Sequence, residues 1–349
     1  MRTWAPSPGL DPRSHSASPP SRRTLLGSSP PSRRTLLGSS PPSRRTLLRS
    51  ATIGLLAVAL TACSSPATTR SSGSASTSRA SAATAGGHGQ PVDVLYAGSL
   101  THLMQDSLGP AFDRATGDTF VGFTGGSDGL ASEIRGGTQV ADVFVSAAPS
   151  ADRSLEGKAN GSWVSWYATF ATSPLVLGYN PASRFASRLR TRPWYDVVTQ
   201  PGFLLGRTDP RIDPKGVLAV EALDQTAAAQ HLPRLAGLTS STAGVFPEET
   251  LVGRLQAGQL DAGFFYEAEA VAAGIPTVPL TGVHLGATFT VTVVDRAPHA
   301  TAAAAFVRFL LGRRGQALLR SAGMDLVRPP VVDGRSAVPA DLRATLGAA

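Results

Sequence analysis

Two short turns carry the residues best suited to holding a small anion. Gly98-Ser99-Leu100 follows the β-type run Val92-Asp93-Val94-Leu95-Tyr96-Ala97, and Gly125-Gly126-Ser127-Asp128-Gly129 follows Phe120-Val121-Gly122-Phe123. Each leads into a helical pattern, so each sets a hydroxyl and free backbone N–H groups where a strand gives way to a helix. A helix N-terminus has unpaired N–H donors and about half a positive charge, and attracts anions without lysine or arginine. A serine there is equally an ordinary N-cap. Two in succession, each just after glycine, make Ser99 and Ser127 candidate anion ligands.

These turns need a scaffold of alternating strands and helices, and the pattern continues along the chain. Strands are expected at Asp142–Ser146, Leu175–Tyr179, Phe203–Leu205, Asp261–Phe265 and Phe289–Val294. Helices are expected over Leu103–Phe112, Leu130–Arg135, Val217–Ala229, Glu248–Ala257 and Ala300–Leu311. Such alternation implies an α/β fold of mostly parallel sheets with ligands at the strand C-terminal ends. Trp194 and Tyr195 are expected in the core. The five histidines after residue 80 show no metal-ligand spacing.

Charge is unevenly distributed over the 349 residues, whose formal net charge is +8. The first 90 residues hold eleven arginines and one acid, whereas residues 91–349 hold 21 basic and 23 acidic side chains. A nucleic-acid reading requires basic groups on a folded surface, and is therefore set aside. With a single cysteine, a disulfide framework and a multi-cysteine metal site are excluded. Three near-copies of Ser-Arg-Arg-Thr-Leu-Leu, beginning at Ser21, Ser32 and Ser43, are too short and too rich in Pro and Ser for a solenoid. The last runs into an apolar stretch, Ala51–Ala62, shorter than the roughly 20 residues of a membrane-spanning helix.

Leu60-Thr61-Ala62-Cys63 resembles the lipobox of bacterial lipoproteins, in which the cysteine is acylated and becomes the mature N-terminus. The expected organisation is a signal peptide with a repeated basic n-region over 1–62, then a lipidated Cys63 and a disordered Ser/Thr/Ala/Gly tether over 63–90. The paired arginines also resemble a twin-arginine export signal, although an ordinary secretory leader is basic as well.

Beyond residue 90, a series of motifs appears in order: Tyr96-Ala97-Gly98-Ser99-Leu100, Phe123–Ser127, Ala141–Ala147, Asn180, Trp194-Tyr195, Asp209-Pro210 with Asp213-Pro214-Lys215-Gly216, and Leu260–Tyr266. Their succession resembles the periplasmic molybdate/tungstate-binding proteins of ABC importers, across nearly all of residues 91–330. That resemblance implies a two-lobed periplasmic-binding-protein fold (type II-like), each lobe a mostly parallel sheet flanked by helices. Lobe I would comprise 91–172 plus 285–349 and lobe II 173–284. The protein would be an extracytoplasmic, membrane-anchored monomer with no cofactor and no catalysis. It would hold a molybdate or tungstate oxyanion between its lobes and deliver it to an ABC permease.

The same resemblance makes Ser99 and Ser127 donors from lobe I and Tyr266 a hydroxyl donor from lobe II, beside backbone N–H groups near Asp213 and Glu248. Molybdate and tungstate are unprotonated dianions at neutral pH, so a donor-only, tetrahedral site is expected, with no direct ligation of the metal. Some relatives bring carboxylates to the metal from an Asp-Pro turn and from the position before the tyrosine. Asp213 matches the first of these, as a turn-former or near-ligand, but Phe265 occupies the second, with Glu267 close by. Lys215 is expected at the pocket mouth or in a solvated turn.

Two rival readings stand beside this one. Sulfate or phosphate would fit a similar site. Alternatively, Gly125-Gly126-Ser127-Asp128-Gly129 matches the Gly-x-Ser-x-Gly elbow of a secreted serine hydrolase, with Ser127 as nucleophile.

Overall fold

A computed structural model describes residues 89–348; the expected signal peptide, Cys63 and all but the last two tether residues lie outside the described residues. The strands are β1 (Pro91–Ala97), β2 (Thr119–Gly125), β3 (Val143–Ser146), β4 (Tyr167–Tyr179), β5 (Leu205–Gly206), β6 (Ala262–Tyr266), β7 (Thr277–Pro279), β8 (Gly286–Val293) and β9 (Asp325–Asp333).

The fold is mixed α/β with two sheets that share β4. In the first sheet β1 lies between β2 and β3, parallel to both, while β8 pairs antiparallel with β3 and with β4. In the second, β6 pairs antiparallel with β4 and parallel with β5. Parallel pairing is confined to β1 with β2 and β3 and to β5 with β6, while β4 pairs antiparallel with β6, β7, β8 and β9, so the sheets are mixed and not mostly parallel as expected. β4 exchanges its partner β8 for β6 between Pro174 and Leu175. The expected lobe boundaries at 172/173 and 284/285 thus fall within β4 and just before β8.

Hydrophobic residues cover both faces of each sheet, as parallel strands require. Val92, Val94 and Tyr96 of β1 pack into the main core with Phe112 and Phe306, while Leu95 faces Leu130, Ile134 and Phe144. In the second lobe Phe264 meets Trp194 edge to face at 6.0 Å, and Phe265 sits on the other side with Leu251 and Leu255. Burying these strands leaves their ends, and the helix starts that follow, facing the junction between lobes.

Several elements depart from the sequence expectation, among them β7, which was not expected, and β4, which begins at Tyr167 and not at Leu175. The helix expected over 103–112 is a composite of short helical turns through Leu108, followed by a regular helix from Gly109 to Thr116. Pro110 lacks the N–H that an uninterrupted helix would use. The unexpected β9 pairs with β4 at its two ends, through Asp325-Leu326 and Val331–Asp333. Arg328-Pro329-Pro330 between them cannot supply a continuous ladder.

Candidate functional site

Five strand ends and helix starts meet where the lobes touch. Ser99 lies in the tight turn Gly98–Leu100 directly after β1, and its buried Oγ has no hydrogen-bond partner among the described residues. Ser127 opens the helix Ser127–Gly136 after β2 and is fully buried. Neither serine caps its helix: Ala97 and Gly126 hold those positions without side-chain caps. Ser127 Oγ instead accepts the Ala147 N–H at 3.1 Å, which leaves its own proton to donate.

The second lobe contributes Asp213, Glu248 and Tyr266. Asp213 caps the helix Pro214–Gln230, its Oδ1 accepting the Lys215 N–H at 2.9 Å, while the buried Oδ2 has no partner among the described residues. Glu248 begins the helix Glu248–Gln256, and its Oε2 accepts the Gly98 N–H of the first lobe at 2.8 Å. Tyr266 ends β6, fully buried, with a hydroxyl that also lacks a partner among the described residues.

The lobes approach closely at two glycines. A Cβ on Gly98 would lie 2.8 Å from Glu248 Cγ and Oε2, and one on Gly126 would lie 2.4 Å from Ile212 O and 3.0 Å from Asp213 Cβ. A second bond across the junction runs from the Gly129 N–H to Ile212 O at 3.0 Å. A crevice of about 320 Å³ opens here, lined by Gly126, Thr208, Asp213, Pro247 and Glu248 among others.

Lys215 corrects the expectation of a mouth or solvated lysine, because its side chain is fully buried. Nζ donates to Glu269 Oε1 at 2.9 Å and Oε2 at 2.7 Å, and lies 3.2 Å from Glu248 Oε1. Burial works against its charge, but Glu269, Glu248 and Asp213 outweigh that and hold it an ammonium. Its partners lie far along the chain, 54 residues away in the case of Glu269. Glu269 had one local signal that the sequence reading missed: it stands three residues after Tyr266, at the spacing from which a Glu reaches back to the N-cap N–H. Its Oε2 accepts the Tyr266 N–H at 3.3 Å.

Two carboxyl groups, Asp213 and Glu248, join the hydroxyls at the site, and burial favours their protonated, donating forms. Glu248 is pushed up to about 8, first by burial and then by Asp213, with Lys215 pulling the other way. Burial also raises Asp213, against Lys215, and raises Asp128, with Asp213 adding to the effect. Burial followed by Asp213 and Glu248 lifts Tyr266 well above a normal phenol, so its hydroxyl keeps its proton. Position 265, where a second carboxylate was sought, is a core phenylalanine; the second carboxylate at the junction is that of Glu248. Glu267 is half-buried in the next helix and has no part in these contacts.

Two further clusters border or oppose this region. The Ala147 N–H that holds Ser127 adjoins Ser146, whose hydroxyl meets Asp152 Oδ2 at 2.9 Å and Thr290 Oγ1 at 2.7 Å. Asp152 is completely buried, and burial pushes it up to about 7, with the Thr290 and Ser146 hydroxyls pulling it back. At the start of β1, donor atoms of Asp93, Asp142 and His299 lie within 4.8 Å of one another. Both Asp142 oxygens are engaged there, by the Asp93 and His299 N–H groups and by His299 Nδ1. Among the described residues, Ser127 Oγ is bonded by the Ala147 N–H and by no histidine.

Comparison with known proteins places this geometry in context. A family profile described as bacterial extracellular solute-binding protein matches residues 92–325. A Haloferax volcanii protein described as an ABC transporter molybdenum-binding protein is 32% identical over 191 residues, which cover 54% of this chain and 59% of that one. The molybdate/tungstate-binding protein WtpA of Pyrococcus abyssi is 23% identical over 234 residues, covering 52% of this chain and 67% of that one. The match to the Haloferax relative thus spans less than two thirds of its length. The Azotobacter vinelandii periplasmic molybdate-binding protein superposes with a TM-score of 0.56 at 21% identity, covering 68% of this chain and all of its own, a likeness of fold.

Proposed function

The chain belongs to the bacterial extracellular solute-binding proteins, and we propose that its solute is molybdate or tungstate, enclosed between the lobes and delivered to an ABC permease. One observation carries the reading: among the described residues, Ser99 Oγ and Tyr266 OH, one from each lobe, are buried without hydrogen-bond partners at the junction where Asp213 Oδ2 is also unpaired. Leaving a polar group buried and unpaired costs about 1–3 kcal/mol. An oxyanion that accepts hydrogen bonds from Ser99, Ser127 and Tyr266 offsets that cost.

The carboxylates select among oxyanions. Sulfur in sulfate does not add further oxygen ligands and sulfate carries no proton, so it would meet an ionised Asp213 as repulsion, whereas hydrogen phosphate would donate its proton there. Molybdenum and tungsten can expand from four oxygens to six. Asp213 Oδ2 and Glu248 Oε1, which have no hydrogen-bond partner among the described residues, are the two carboxylate atoms available for that expansion, with any proton on Glu248 released as it binds. This reading replaces the tetrahedral site expected from sequence.

Calorimetric titration with molybdate, tungstate, sulfate and phosphate tests the solute, and X-ray absorption at the molybdenum edge tests the coordination. Tight binding of the first two with six oxygen neighbours is expected. Equal affinity for sulfate, or four neighbours, would remove the carboxylate ligation; no binding of either metal oxyanion would remove the solute assignment.

The sequence supports a location outside the cytoplasm with acyl chains on Cys63 as the anchor, since two chains hold a protein on a bilayer where one does not. Cys63→Ser is expected to release the protein into the medium, and continued membrane retention would refute the anchor.

A further inference from the structure

We propose that Lys215 is a positioning residue of the oxyanion site: it fixes the two carboxylates that hold Tyr266 and the Ser99 turn in place, without touching the solute itself. This rests on the oxyanion reading above. An ammonium group has three protons; the fully buried Nζ donates to Glu269 Oε2 at 2.7 Å and Oε1 at 2.9 Å, and pairs by charge with Glu248 Oε1 at 3.2 Å. The ammonium is turned to these carboxylates and its side chain has no exposed surface.

Each carboxylate carries one arm of the site. Glu269 accepts the Tyr266 N–H and so fixes the start of the segment that presents the unpaired hydroxyl. Glu248 uses its second oxygen to accept the Gly98 N–H, one residue before Ser99 and in the other lobe. The close approach that excludes a side chain at Gly98 shows how tightly this second arm is seated. Both unpaired hydroxyls therefore depend on one lysine at the start of the helix Pro214–Gln230. A buried ammonium is strongly disfavoured unless it is paired, and a lysine serving only as a surface turn would need no such surroundings.

The test uses the double variant Lys215→Met/Glu269→Gln, which removes one charge of each sign. Three readouts are taken: thermal unfolding, calorimetric titration with molybdate, and solution X-ray scattering with and without molybdate. The variant is expected to melt near the parent, to bind molybdate at least tenfold more weakly, and to give a larger ligand-free radius of gyration that saturating molybdate reduces. Parent-like affinity together with a parent-like scattering profile overturns the proposal.

If the double variant does not fold, Lys215→Arg is measured in the same way. It retains the charge, but its larger, planar guanidinium cannot take the place of the compact Nζ between those oxygens. A tenfold loss is expected, and a folded Lys215→Arg protein that binds like the parent overturns the proposal. If the parent itself ignores molybdate, the solute assignment fails, while ligand-free scattering of parent and variant still decides whether Lys215 holds the lobes.

Discussion

Removing the Tyr266 hydroxyl should weaken solute binding and spare or raise stability, a pairing of signs that few substitutions share. The hydroxyl is fully buried at the end of β6 with no partner among the described residues, and the ring packs edge to face on Phe289 at 5.8 Å. Tyr266→Phe preserves that packing and deletes only the oxygen. A hydrogen bond to a charged group contributes about 1.5–3 kcal/mol, so the affinity for molybdate should fall by roughly 10- to 150-fold. Without solute, the variant loses a buried polar atom that costs about 1–3 kcal/mol when unpaired. Its melting temperature should equal or exceed the parent's, at roughly 2–4 °C for each kcal/mol gained. Calorimetry and ligand-free thermal unfolding of the same preparation measure both. Unchanged affinity would show that the hydroxyl does not face the solute. A melting temperature several degrees lower would show that it has a structural partner in solution.

Gly126→Ala should hold the lobes apart, because the new methyl would lie 2.4 Å from Ile212 O; scattering should show an expanded ligand-free particle and calorimetry at least a tenfold loss of molybdate affinity. Ser127→Ala should weaken binding by about tenfold or more and also lower stability by about 1–3 kcal/mol, since the Ala147 N–H loses its acceptor; denaturant titration checks the second effect. Asp152 sits above its unfolded value at about 7, so the stability it contributes is full below about pH 4 and is lost as pH rises through 7. Asp152→Asn should therefore show a shallower fall in melting temperature between pH 5 and pH 8 than the parent; parallel curves would contradict the buried-acid assignment.

The strand-turn-helix units around Ser99 and Ser127 were legible because their signals are local: a β-branched run, glycine, serine, then a helical period. The fold class followed from the repetition of such units. Lys215 was not legible, since a lysine after Asp-Pro in a polar loop has the local character of a solvated turn and gains its meaning only from Glu248 and Glu269. Glu248 was read as the start of a helix whose backbone would donate. The structure turns its side chain across to Gly98, a contact 150 residues distant in sequence. β9 escaped notice because Arg328-Pro329-Pro330 breaks the alternation that marks a strand, although its ends still pair with β4.

The pairing of Ser173 with Ala287 and of Pro174 with Gly286 sets the chain's departure into the second lobe beside its return. Only a residue without a side chain fits that return, since a Cβ on Gly286 would lie 2.5 Å from Ser173 O. A segment whose two ends adjoin can be excised and exchanged as a cassette while the host sheet keeps its register. New solute preferences could thus be grafted onto the β1–β3 framework by replacing one uninterrupted stretch of the gene, with the Gly286 junction as the seam to preserve.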